Sequence, residues 1–297
     1  MVRPPSLSSR VAVLALALLA AAAGLGASAE EAVPGDAPGF VNYVQMEFAR
    51  AMPGAAVSVT GPLTLRIRPR SGSEHVAYLD TLFAFCRRSP ERCAPAVATH
   101  VRQLAATYDA PAAAPDRSKL RAVLRPAPYI EQLRRSLAGK GQPVAVPFLA
   151  GLWIVCMVDL PEAMQTVSPA DLAALGLDRD QAITIGKANV AGVLRPLRSV
   201  LQDIPRGAVG TIRGDPYESS RLLFPEAWRE AFAGKAGLPL VAAPGTDMVI
   251  WTVPKDEAGA ADLAAAGRLA QGAGLVFRPL STAVFRLTSG GWEMTGL

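Results

Sequence analysis

Histidine and cysteine are scarce in this chain of 297 residues, with two of the first and three of the second. No pair of them stands at ligand spacing, which removes the common Cys/His zinc arrangements, and no metal or cofactor is expected. The signatures G-x-S-x-G, S-x-x-K and H-E-x-x-H are missing, and no glycine-rich loop is placed to cradle a phosphate. Charge of one sign is modest too. Thirty Lys and Arg against 25 Asp and Glu give +5, little reason to expect nucleic acid as a partner. Beyond the first thirty residues long apolar runs are lacking. "FLAGLWIVCMVDL" (148–160) is short and broken by Gly151, so it reads as buried strand rather than a membrane span.

Apolar residues are plentiful, at 51% of the chain, partly because of how it begins. "MVRPPSLSSR" is basic, "VAVLALALLAAAAGLG" is apolar, and "ASA" at 27–29 offers small residues for cleavage. Residues 1–29 therefore read as a signal peptide cut after Ala29, with an uncleaved anchor as the alternative. Cleavage would remove Arg3 and Arg10 and no acid, leaving +3, and would deliver a periplasmic or secreted protein without a stable membrane span. In that oxidising setting Cys86 and Cys93 of "CRRSPERC" are expected to pair, because Pro90 breaks a helix–helix corner that brings the two together. Cys156 reads as a packed thiol.

The pattern predicts an α+β fold. A tether (30–38) leads to an N-terminal unit over 39–112. There Val41, Val44, Phe48 and Met52 form one helical stripe, and a β-hairpin turns at "TGP". Leu63, Leu65 and Ile67 should face inward, leaving Arg66, Arg68 and Arg70 in an outer row. Such a row could hold an anionic surface and is more often simply solvated. A strand and a helix carrying Val97, Val101 and His100 follow. The lone histidine reads as a hydrogen-bonded core residue. "APAAAPDRS" (110–118) marks the boundary.

From 118 to 297 the chain repeats itself, with copies over 118–177 and 206–268 and a closing hairpin. "LRPAPYIEQLR" aligns with "IRGDPYESSRL", so that Arg125 meets Arg213 and Tyr129 meets Tyr217. Lys140 aligns with Lys235, and "ADLAALG" with "ADLAAAG". Each copy reads as strand, helix, two strands, helix, with Gly139 and Gly234 ending the first helices. A long helix (180–201), kinked at Pro196, lies between the copies. In "RGDPYESSRLLF" (213–224), Asp215 as N-cap, Pro216 at the first position and Glu218 in a capping box predict a helix start. The same N-terminus beside Arg213 and Arg221 is a candidate anion site.

On these motifs the chain resembles the YtpQ-like family, a bacterial domain of unknown function. The resemblance rests on D-x-Y-x-x-S-R-ϕ-L (Asp215, Tyr217, Ser220, Arg221, Leu222, Leu223), on "PGTDMVIW" with Asp247, and on "LSTAVFRLTSGGWE". It implies the architecture and no activity, and this chain departs from it in its leader and its cysteine pair. The candidate ligand-binding residues are Arg125, Arg213, Asp215, Tyr217, Ser220, Arg221 and Asp247. The first expectation is an exported, non-catalytic binding or scaffold module whose partner is an anionic small molecule or an envelope protein. The alternative is an envelope hydrolase using acids such as Asp215 and Asp247. An enzyme should gather these residues around a pocket, and a scaffold should scatter them.

Overall fold

In the computed structural model, Asp36 caps the first helix, α1 (Ala37–Ala51), by accepting a hydrogen bond from the Gly39 amide at 2.8 Å. Pro38 sits in the first turn, where no N–H is needed, so the helix begins inside the expected tether. The structure describes residues 32–70, 75–109, 116–137, 141–160, 164–235, 237–276 and 278–295. The leader, most of the 110–118 linker, Gly139 and Lys140 lie outside the described residues.

Val41, Val44, Phe48 and Met52 are all buried. They pack with an antiparallel meander, β1 (Ala56–Gly61), β2 (Thr64–Arg68) and β3 (His75–Tyr78). Leu65 and Ile67 face that core, while Arg66 and Arg68 are exposed on the other side. Arg70 leaves the expected row, because its side chain lies over Gly54 in the α1–β1 turn. Helices α2 (Asp80–Arg88) and α3 (Cys93–Asp109) meet at a 3-10 turn over Pro90–Arg92. A disulfide joins Cys86 to Cys93 there, with 4.6 Å between the α carbons.

The second sheet follows β4 (Leu120–Pro126), α4 (Ala127–Ser136), β5 (Ala145–Pro147), β6 (Leu152–Asp159) and β7 (Met164–Thr166). Its order is β4-β6-β5, with β7 also on β6, and every pairing is antiparallel. Helix α5 (Pro169–Leu175) opens on a capping box of Ser168 and Asp171, and α6 (Arg179–Val193) on one of Asp178 and Gln181. Gly186 lets α6 approach the β4 backbone, since a β carbon there would stand 2.8 Å from the Ala122 nitrogen.

The expected helix over 180–201 is not continuous. It stops at Val193, Leu194 and Pro196 are extended, and a separate short turn, α7 (Leu197–Val200), follows. A proline ring cannot donate to the preceding turn and pushes the residue before it out of helical geometry, so Pro196 ends the helix instead of kinking it.

The third sheet is built from β8 (Gly210–Arg213), then, past α8 (Pro225–Phe232), β9 (Leu240–Gly245) and β10 (Met248–Thr252). Past α9 (Gly259–Gly272) come β11 (Val284–Thr288) and β12 (Gly291–Met294), the closing hairpin. The order is β12-β11-β9-β10-β8. β9 and β10 are buried throughout, with Leu263 and Ala264 of α9 on one side and Trp228 and Phe232 of α8 on the other. Both larger sheets place their third strand between the first two, β4-β6-β5 and β8-β10-β9. Cross-strand pairing sets Trp153 between Arg125 and Pro147, and Met248 between Arg213 and Gly245.

Candidate functional site

The stretch from Arg213 to Phe224 is not a helix start. Gly214 turns the chain at φ 108°, and the Asp215 carboxylate accepts a hydrogen bond from the Tyr217 amide at 2.8 Å, which closes an Asx turn. Glu218–Leu223 then form a 3-10 run, and the α-helix begins only at Pro225. Two causes are visible. Pro225 disfavours helical geometry at Phe224, which sits at φ −127°, ψ 65°. A 3-10 turn also stacks residues three apart, and this places Glu218 under Arg221. Arg221 Nε donates to Glu218 Oε2 at 2.5 Å, with both side chains almost wholly buried. A second arginine nitrogen, Nη1, donates to the Arg195 carbonyl at 2.9 Å. The Ser219 amide donates to the Thr246 carbonyl at 3.1 Å, tying the run to the β9–β10 turn. Glu218 is therefore half of a buried ion pair, not a capping residue.

Tyr217, just before this run, is buried against β4 and β6. On β4, Arg121 and Arg125 stand four residues apart and so share one face of the strand. Both are buried, at 7% exposure each. Arg121 is compensated: it pairs with Asp159 at 3.3 Å and donates to the Ser118 and Leu120 carbonyls.

Arg125 is different. It donates to the Leu124 carbonyl at 2.8 Å and contacts Met157 Sδ at 3.3 Å, and its guanidinium lies 5.6 Å from the centre of the Tyr129 ring. No carboxylate among the described residues is within ion-pair distance of it. Burial pulls its pKa down to about 10; the neighbouring Tyr129 opposes the shift and Arg278 adds to it. Among the described residues, Arg125 is thus a buried cation at neutral pH with only neutral partners. Desolvating a charge without an opposite charge is costly.

The remaining groups converge from other elements. Tyr129, half-buried on α4, shares a hydrogen bond of 2.9 Å with Thr166. Arg278, exposed after α9, lies in electrostatic reach of Arg125, Tyr129 and Asp247, and donates to Gln103 Oε1 of α3 at 3.2 Å. Its backbone carbonyl accepts from the Thr246 amide at 3.2 Å, beside Asp247. Asp247 is half-buried, and its Oδ1 has no hydrogen-bond partner among the described residues. His100, on the same side of α3 as Gln103, is held neutral. Burial first and Arg278 second lower its pKa to about 4. The Tyr217 phenol is pushed up, chiefly by burial and then by Asp159.

Of the residues singled out in the sequence, Arg125, Tyr217 and Asp247 are thus drawn to one junction between the two larger sheets. Ser220 and Arg221 belong to the buried run beside it, Asp215 serves the Asx turn, and Arg213 points to solvent. Arg213 does not repeat the role of Arg125, its aligned counterpart. Arg121, Tyr129, Asp159 and Arg278 are not among the candidate ligand-binding residues of the sequence. The spacing of Arg121 and Arg125 on an otherwise apolar strand was the available signal. Arg278 has none, because chain folding alone brings it there.

Among the described residues no three His, Cys, Asp or Glu stand together to hold a metal ion. The arrangement presents cationic nitrogens and a phenol at one rim, chemistry suited to a carboxylate or phosphate. No family model, no curated protein and no solved structure matches the chain.

Proposed function

We propose that the protein is an exported, non-catalytic binding module of the cell envelope, whose junction of Arg125, Tyr129 and Arg278 takes a small anionic ligand. The observation that carries this reading is the buried Arg125, whose charge meets no carboxylate among the described residues. An anion resting on Arg278 and Tyr129 would supply the missing charge. The groups nearby favour binding over proton transfer. Arg125 stays protonated, Tyr217 is pushed up and His100 is pushed down, so each moves away from the neutral range in which a general acid or base works best.

Export rests on the leader sequence, and the Cys86–Cys93 disulfide fits an oxidising compartment. The shared strand order, with the aligned sequence blocks, supports an internal duplication in which one copy kept a buried arginine and the other turned it outward. Relationship to the YtpQ-like family rests on the Asp215–Leu223 pattern and the segment around Asp247.

A thermal-shift panel on the chain from Glu30, with uronates, dicarboxylates, inorganic phosphate and neutral sugars, tests the reading. An anion at a hundred times its dissociation constant should stabilise by about 2.7 kcal/mol, and neutral sugars by nothing. A flat panel would sink it.

A further inference from the structure

At the opposite end of β10 from Asp247, Thr252 meets the start of α9. A cleft of about 130 Å³ lies there, with Thr252, Lys255, Asp256 and Asp262 as its polar lining. Thr252 is 2% exposed, and its Oγ1 has no hydrogen-bond partner among the described residues. A buried hydroxyl ordinarily has one. The walls of the cleft are fixed. Lys255 lies across Gly207, where φ is 82° and a β carbon would stand 2.8 Å from the lysine Cγ. The Gly207 amide donates to the Val253 carbonyl at 2.8 Å, and Arg206 donates to the Pro254 carbonyl at 2.8 Å. Asp256 Oδ1 accepts from the Ala258 amide at 3.0 Å. Among the described residues the side chains of Lys255 and Asp262 make no hydrogen bond or ion pair, with each other or with any neighbour.

We infer that this cleft binds a small α-amino acid, with its carboxylate on Lys255 and the Thr252 hydroxyl and its ammonium on Asp262 and Asp256. The carboxylate also gains from α9, a helix of 14 residues that directs partial positive charge to this end. The mixed lining selects the class of ligand. A simple anion would meet two carboxylates, and a simple cation would meet Lys255 and the positive end of the helix. A zwitterion meets an opposite charge at each place. The cleft has the volume of roughly four waters, which suits glycine or alanine. It shares no residue with the Arg125 junction and does not depend on a ligand there.

The test is a ligand-observed NMR titration of the chain from Glu30 with glycine and alanine, with methylammonium and acetate as parallel arms. An amino acid should bind, and each half-ligand should bind at least about tenfold more weakly. Thr252→Val should weaken amino-acid binding about tenfold, the loss of one charge-assisted hydrogen bond. It should not lower the melting temperature, since the hydroxyl it removes is unpaired in the fold. Asp262→Asn and Lys255→Gln, both at exposed positions, should each weaken binding about fivefold. Arg278→Glu should leave it intact, which separates the cleft from the junction. No binding of either amino acid, equal binding of a half-ligand, unchanged affinity in Thr252→Val and Asp262→Asn, or loss of binding in Arg278→Glu would each overturn the inference.

Discussion

Glu218 and Arg221 show what a single buried pair commits a protein to. Each is held where water cannot replace the other, so removing one leaves an uncompensated charge. Glu218→Leu or Arg221→Met alone should cost about 3–5 kcal/mol, while the two together should cost less than either. Denaturant titration of the four proteins checks this, and additive losses would show the pair to be uncoupled. His100 carries the pH dependence of this region. Its folded pKa, lowered to about 4 by burial first and Arg278 second, lies below the ordinary value near 6.5. Between those values the unfolded chain holds more protons, so stability is full above about pH 6.5 and falls as the pH drops towards 4, by roughly 3 kcal/mol. His100→Gln should remove that slope in melts recorded across the range. An unchanged slope would mean that His100 titrates alike in the folded and unfolded chain.

At the scale of elements, Gly186 governs how α6 lies on β4. Alanine is the better helix former by about 1 kcal/mol, but a β carbon at this position meets the Ala122 nitrogen and the Arg121 carbonyl carbon. Gly186→Ala should therefore destabilise by about 1–3 kcal/mol despite its propensity, and a rise in melting temperature would show that the helix has room to lift. Elements with a strong period were legible in the sequence: the α1 stripe, the β1–β2 hairpin, the closing hairpin and the Cys86–Cys93 corner. What misled was local chemistry with two outcomes. Asp215, Pro216 and Glu218 are the residues of a helix cap, yet the same aspartate closes an Asx turn, and Pro225 downstream with the Glu218–Arg221 contact selects the 3-10 run. Pro196 within an apolar helical pattern predicts a kink, although a proline without tertiary support for the broken turn simply ends the helix. The junction was half legible. Arg125, Tyr217 and Asp247 stood out, but Arg278 reaches them from thirty-one residues beyond Asp247, a proximity that only the packing of β9, β10 and α9 creates.

The whole molecule pairs a disulfide-closed N-terminal unit with two sheets of shared strand order. Contacts between these parts converge near the candidate site. Arg92, in the turn beside the disulfide, donates to the Gly274 carbonyl at 2.7 Å, and Gln103 of α3 accepts from Arg278. The N-terminal unit thus helps hold the segment that carries Arg278 against the junction. The most direct test of the account is calorimetric titration of the small anion found to stabilise the protein, comparing the native chain with Arg278→Glu. Arg278 is exposed, so the variant should fold, and any fall in its unliganded melting temperature reports the lost Gln103 bond. The account predicts a loss of affinity of about tenfold or more from reversing a charge that faces the anion. Equal affinity in the two proteins would place the anion elsewhere and leave Arg125 a structural cation.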